Sequence, residues 1–192
     1  MDRTQQIEKI VKEHLKDVYE ESSKVIRKEY LDRETQICQN LADTMHSGLV
    51  GCEQMGKKVS YIIISVLESS ILTNSYDLQL AFYDRDMYLD KAPMYVYWKP
   101  MLFFSKIEDD MRVFKRKVAE RLVRVKDYEM DFIKRKYLVN HYFQLFLFLR
   151  KEVPNVIERK YKKVNCLEDN FLVLFGRYME RPILLYQKGE HN

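Results

Sequence analysis

Apolar residues recur at helical spacing through the first part of the chain and predict a helical segment over residues 3–47. The pattern weakens at residues 27–34 and then resumes, so one bent helix or two helices fit equally well. Three glycines follow, and we expect them to end the segment, because glycine is the usual residue just beyond a helix. The apolar positions are Ile7, Ile10, Val11, Leu15, Val18, Val25, Ile26, Ile37, Cys38, Leu41 and Met45, and the glycines are Gly48, Gly51 and Gly56.

From residue 58 the pattern becomes typical of strands. Residues 59–66 are apolar at nearly every position, as in a strand that is buried on both faces. Residues 76–83 contain alternating apolar positions, and residues 94–98 form another extended run between Pro93 and Pro100. Turn-forming residues separate these runs. The block 58–98 is therefore predicted to be an antiparallel meander.

A second helical segment is predicted over residues 105–163. Ser105 and Glu108 have the spacing of a capping box, which satisfies backbone donors at a helix start. Because a single helix of more than 40 residues would be unusual, we expect a break near residues 127–131. Residues 171–175 and 183–186 then flank Gly176 and Pro182, which predicts a hairpin over 171–187 that joins the sheet.

Together these segments predict a single α+β domain over residues 1–192, since 192 residues is an ordinary size for one domain. The expected architecture is an antiparallel sheet of about five strands with long amphipathic helices packed on one face. The apolar side of the long helices also needs a cover, which a second copy of the chain could supply in a homodimer.

Composition narrows the class of protein. The formal net charge is only +4, with 33 basic and 29 acidic residues interspersed along the chain. The first ten residues are polar, and the most apolar window, 137–149, is shorter than the roughly 20 residues that span a bilayer. The three cysteines lack paired spacing, which favours reduced thiols. We therefore expect a cytoplasmic protein with no membrane association.

Four residues are candidates for ligand binding. Glu68 follows the apolar run 59–66, where a buried carboxylate could anchor a ligand or act as an acid. Alternatively, Glu68 lies at the solvent-exposed end of the strand or pairs with an arginine such as Arg177. Tyr97 and Trp98 could form a wall of a pocket for an apolar or aromatic ligand, although such residues more often fill a core.

Other chemical patterns are weaker. Neither the carboxylates of residues 84, 86 and 90 nor the group formed by Cys38, His46 and Cys52 matches a known metal-ligand spacing, so the sequence predicts no metal site. His141 is expected to be a packing residue. Glycine-rich phosphate loops and the common nucleophile motifs are missing from the sequence, so no catalytic residue and no cofactor are predicted.

Residues 112–136 form a basic stretch, predicted as a helix, with ten lysines and arginines against four acidic residues. Such an excess could neutralise phosphates, but on a helical wheel the basic residues are spread around the helix. The leading hypothesis is therefore a protein-interaction or binding module rather than an evident enzyme. The first alternative is a small-ligand sensor or enzyme with its site at the aromatic end of the sheet, and the second is nucleic-acid binding through helix 112–136.

Overall fold

A computed structural model describes residues 2–161 and 164–188 of the chain. The chain divides into two compact units. The first, which we call the helical unit, comprises residues 1–33 and 101–145. The second, the sheet unit, comprises residues 34–100 and 146–192. The two long helices contribute residues to both units, and each unit is described separately below.

Five α-helices are found in the described residues: α1 (Arg3–Gln54), α2 (Glu68–Leu72), α3 (Met101–Phe104), α4 (Ile107–Ala119) and α5 (Asp127–Lys160). α1 continues past the point where Gly48 and Gly51 were expected to end it. Both glycines lie inside the helix because the sheet approaches closely there: a Cβ atom at Gly48 would overlap the ring of Phe82, and one at Gly51 would overlap the terminal methyl of Met94. α5 contains Pro154 in its interior and lies within the predicted helical segment 105–163.

The sheet unit contains the strands β1 (Val59–Val66), β2 (Leu78–Tyr83), β3 (Met94–Trp98), β4 (Leu167–Arg177) and β5 (Ile183–Gln187), in the order β3-β2-β1-β4-β5. The predicted α+β class, the five strands, the meander β1–β2–β3 and the hairpin β4–β5 are confirmed. The fully antiparallel sheet is wrong, because β4 pairs with β1 in parallel. The chain reaches β4 through the long helical connection 101–160, and such a connection can return a strand in the parallel direction.

One face of the sheet packs against helices and is called the helix face. Phe82 and Met94 on this face meet α1, and Phe175 stacks with Phe146 of α5 at a ring-centroid distance of 6.2 Å. The apolar side chains in this core are almost completely removed from water, which is the main source of stability for the unit. They include Leu41, Met45, Leu49, Ile62, Ile64, Leu78, Leu80, Phe82, Leu149, Val153 and Val173.

The opposite face has a smaller apolar cluster formed by Ile63, Ala81, Tyr83 and Leu174. The 3₁₀ helix Met87–Leu89 lies in the β2–β3 connection, and its first two residues pack against this cluster together with Tyr61 and Leu172. The long helices are thus found on one face of the sheet, whereas a short connection partly covers the other.

The helical unit differs from the prediction at two helix boundaries. The hydroxyl of Ser105 donates to the carbonyl of Leu102 at 3.0 Å, so it closes α3 instead of forming a capping box at the start of α4. The predicted break near 127–131 lies slightly earlier, at residues 120–126, where Arg124 has a φ of 56°. A single basic helix over 112–136 is therefore wrong.

None of the helices in residues 2–161 and 164–188 has the length and apolar character needed to cross a bilayer.

Candidate functional site

Tyr97 and Trp98 lie on opposite faces of the sheet, since consecutive residues of a strand point in opposite directions. Trp98 is buried on the helix face, where its indole N–H donates to Asn40 Oδ1 at 2.8 Å and its ring stacks on Phe148. Tyr97 is 59% exposed on the other face. Trp98 is therefore a core residue, as one of the two interpretations expected, and only Tyr97 is accessible to a ligand or partner.

Glu68 and Arg177 form an ion pair at one end of the sheet. β1 ends at Val66, and Glu68 begins α2 with its side chain 50% exposed, so the hypothesis of a buried strand carboxylate is wrong. Its Oε1 lies 3.9 Å from Arg177 Nη1, as the alternative interpretation predicted. Exposed pairs of this kind contribute little to stability. Arg177 and Trp98 are separated by β2 and β1, about 14 Å at the usual strand spacing, so the four candidates do not converge on one pocket.

The face that carries Tyr97 is rich in tyrosine, and we call it the tyrosine face. On this face, neighbouring strands place their side chains opposite one another: Tyr97 of β3 lies beside Gln79 of β2, and Tyr95 lies beside Ala81. Tyr83 makes edge contacts with Tyr88 and Tyr95 at centroid distances of 5.6 and 6.3 Å. We define the tyrosine face by Tyr61, Tyr83, Tyr88, Tyr95, Tyr97 and Tyr178. Tyr178 follows the end of β4 and belongs to this group because its electrostatic effect reaches Tyr83 and Tyr88.

The tyrosine face grades from a buried centre to an exposed rim. Burial, followed by a hydrogen bond with Tyr95, raises the pKa of Tyr83 well above its ordinary value, so its hydroxyl stays protonated. Tyr95, Tyr97 and Tyr178 are 39%, 59% and 47% exposed. Such side chains offer large, rigid contact areas with a polar end, and residues of this type are enriched in protein interfaces.

Two polar groups on this side of the sheet are buried without a hydrogen bond to any described residue: Gln79 Oε1 and the hydroxyl of Tyr88. The amide nitrogen of Gln79 donates to the Tyr97 hydroxyl at 3.4 Å. A buried acceptor without a donor carries a desolvation cost of about 1–3 kcal/mol.

The β2–β3 connection is fixed by a buried ion pair between Lys57 and Asp90, whose side chains are 8% and 2% exposed. Asp90 also accepts hydrogen bonds from the backbone N–H groups of Asp84 and Ala92 at 3.0 and 2.9 Å. Asp90, one of the three carboxylates at 84, 86 and 90, therefore stabilises the conformation of the loop. Within the described part of the chain, no group of three or more His, Cys, Asp or Glu residues could hold a metal ion.

A separate cleft in the sheet unit lies between α1 residues 34–42 and α5 residues 151–160, with a volume of about 380 Å³. At this cleft, Cys38 Sγ donates to Glu152 Oε2 at 3.5 Å, and Lys151 Nζ lies 2.7 Å from Glu34 and 2.9 Å from Glu152. Burial and the neighbouring Glu152 raise the pKa of Cys38 to about 12. The thiol therefore stays protonated near neutral pH, and the cleft offers hydrogen bonds and charges rather than a nucleophile.

The helical unit contains a buried polar network that the sequence did not reveal. Ser22 Oγ lies 2.7 Å from both carboxylate oxygens of Asp110, between which it can share its single proton, and Oδ2 also accepts from the Tyr137 hydroxyl at 2.6 Å. Burial raises the pKa of Asp110 despite these hydrogen bonds. Tyr137 also contacts His141, which is completely buried as expected of a packing residue.

His141 has a defined protonation state. Its Nδ1 lies 2.8 Å from the carbonyl of Phe103, which can only accept, so Nδ1 carries the proton. Burial lowers the pKa of His141 to about 4, although this hydrogen bond opposes the change. The imidazole is therefore neutral at neutral pH, which favours the packing role that the sequence predicted.

No protein-family model, curated protein or solved structure matches this chain.

Proposed function

We propose that this protein is a protein-interaction module that binds a partner through the tyrosine face of its sheet unit. The observation that carries the proposal is the exposed rim formed by Tyr95, Tyr97 and Tyr178 around a rigid, buried centre. A sheet holds these rings at fixed spacing, so little conformational entropy is lost when they are covered.

The chemistry of the face defines the kind of partner. Its paired positions in β1, β2 and β3 carry tyrosines, aliphatic residues, Ser65 and Gln79, and none of these positions is charged. A complementary partner surface is therefore largely uncharged, has aromatic or aliphatic side chains, and supplies hydrogen-bond donors and acceptors for the tyrosine hydroxyls.

The test is a comparison of two photo-crosslinking positions in cells that make the chain. A crosslinker at Tyr97 is expected to capture a partner that a crosslinker at Leu72 does not. Leu72 is a matched control, because it is 57% exposed in the same unit but lies in α2. The purified partner should then bind Tyr97→Asp about tenfold more weakly than wild type, and Leu72→Asp with unchanged affinity. Equal capture at both positions, no capture at Tyr97, or equal affinity of the two variants would refute the proposal.

A second candidate function is suggested by the cleft that contains Cys38. Its volume of about 380 Å³ lies within the range of small-molecule sites, and Glu152 forms a buried polar group in its lining. We propose a small polar ligand for this cleft, in place of the site first expected at the aromatic end of the sheet. Native mass spectrometry of freshly purified protein should show an excess mass that Val156→Trp removes by filling the cleft. An excess mass that this variant retains, or a bare chain mass, contradicts the assignment.

A further inference from the structure

β3 is an edge strand whose outer side has unused backbone hydrogen-bonding groups. It pairs only with β2 in the sheet order. Apart from that ladder, residues 94–98 make no backbone–backbone hydrogen bond among the described residues. In an antiparallel pair, alternate residues direct their N–H and C=O groups away from the neighbouring strand. The outer side of β3 is therefore a template for another strand.

Native proteins usually block such an edge with charged side chains, proline or a bulge. The five residues of β3 are Met94, Tyr95, Val96, Tyr97 and Trp98, and none of them is charged. Prolines at positions 93 and 100 lie outside the strand, so they do not interrupt pairing but limit its length. The edge is thus uncharged, rich in β-forming residues, and restricted to a short defined segment.

The central three residues of the strand are symmetric about Val96, with a tyrosine on each side. Both tyrosines lie on the same face, since they are two residues apart. We propose that β3 pairs antiparallel with β3 of a second copy of the chain, around a two-fold axis at Val96. In that register, Tyr95 of each copy lies opposite Tyr97 of the partner subunit, which forms two cross-strand aromatic pairs on the tyrosine face.

This pairing would join two five-stranded sheets into one sheet of ten strands and place the two tyrosine faces side by side. The inference rests on the proposed function only in that Tyr95 and Tyr97 belong to both surfaces. Because only five residues of each copy pair along the backbone, the dimer is reversible and depends on protein concentration.

The test uses sedimentation velocity over a range of concentrations and exploits the register. Tyr95→Lys/Tyr97→Lys places lysine opposite lysine twice, and Tyr95→Glu/Tyr97→Glu places glutamate opposite glutamate. Each should weaken dimerisation about tenfold or more, because like charges directly opposite are destabilising. Tyr95→Glu/Tyr97→Lys places glutamate opposite lysine twice and should remain a dimer. An equimolar mixture of the two like-charged variants should form a heterodimer.

Each outcome is decisive. All variants replace the same two exposed side chains, so circular dichroism can confirm that they fold alike, and the mixed-charge variant controls for loss of the tyrosines. A wild-type chain that stays monomeric overturns the inference, as does equal dimerisation of all three variants. If wild type is monomeric but the Tyr97-dependent partner still binds, the dimer fails and the proposed function stands. If wild type dimerises but the crosslinker at Tyr97 captures no protein other than a second copy of the chain, the dimer stands and the proposed function fails.

Discussion

The two glycines of α1 provide a matched test of how this helix packs on the sheet. Replacement of either glycine by alanine should stabilise a helix interior by about 1 kcal/mol, because glycine loses more backbone entropy on folding. The two positions differ in what the new methyl group would meet. At Gly48 it overlaps the ring of Phe82, which is completely buried, whereas at Gly51 it overlaps only the terminal methyl of Met94.

These contacts predict opposite changes in stability. Met94 is partly exposed, and its flexible side chain can rotate away, so Gly51→Ala should be neutral or stabilise the sheet unit by up to about 1 kcal/mol. The buried Phe82 ring cannot move without disturbing its neighbours, and overpacking of this kind costs about 1–3 kcal/mol or more. Gly48→Ala should therefore be less stable than Gly51→Ala by about 1–3 kcal/mol.

Urea unfolding followed by the emission of Trp98 measures this difference. Trp98 is the single tryptophan of the chain and lies in the core of the sheet unit, so its emission reports on that unit. The double variant Gly48→Ala/Phe82→Leu should recover part of the loss, because the smaller side chain makes room for the methyl group. Equal midpoints for the two alanine variants, or a more stable Gly48→Ala, would refute the packing described for α1.

Three further predictions concern ionisable groups whose pKa values are shifted. Asp90→Asn should destabilise the sheet unit by about 3–5 kcal/mol at neutral pH, because Lys57 would stay buried without its counter-charge. Burial works to raise the pKa of Asp90, but hydrogen bonds, led by that from Lys57, lower this pKa overall. The stability advantage of wild type in urea unfolding should therefore shrink as the pH falls below about 4, and a difference that stays constant with pH would contradict this. Asp110→Asn should show the opposite trend, because the raised pKa of Asp110 favours the folded wild type only at low pH. In unfolding followed by circular dichroism, the stability of the variant relative to wild type should rise between pH 3 and pH 7. A relative stability that instead rises toward low pH would refute this prediction. Burial and the neighbouring Glu152 raise the pKa of Cys38 to about 12, so Cys38 should react with a thiol reagent at pH 8 far more slowly than a model thiol. A rate equal to that of the model thiol would contradict the environment described for Cys38.

Local sequence patterns predicted most elements of the fold because they depend on nearest neighbours. The bounds of β1 and β3 match the runs 59–66 and 94–98, since residue choice and flanking turns specify both strands. The parallel pairing of β1 with β4 was missed because strand direction depends on the path of a connection of more than 60 residues, which leaves no local pattern. The C-terminal end of α1 was missed, although its start at Arg3 was predicted, because Gly48 and Gly51 serve a close approach to the sheet rather than a helix end.

The candidate site was predictable only in part. The pairing of Glu68 with Arg177 was among the alternatives, because the two residues flank predicted strands. The tyrosine face was missed as a surface, although the alternation of Tyr95 and Tyr97 around Val96 gives the signal. Which face carries the helices depends on tertiary packing, so the sequence could not show that Tyr97 is exposed while Trp98 is buried. Asp110 gave no signal, because a carboxylate in the first turn of a helix is ordinarily exposed.

Hydrogen–deuterium exchange of residues 94–98 at several protein concentrations tests the central claim most directly, because it observes the outward backbone groups of β3 themselves. The account predicts that exchange in this segment slows as concentration rises in wild type and in Tyr95→Glu/Tyr97→Lys, but remains fast in Tyr95→Lys/Tyr97→Lys. Exchange that does not depend on concentration in wild type, or that slows equally in all three chains, would contradict it.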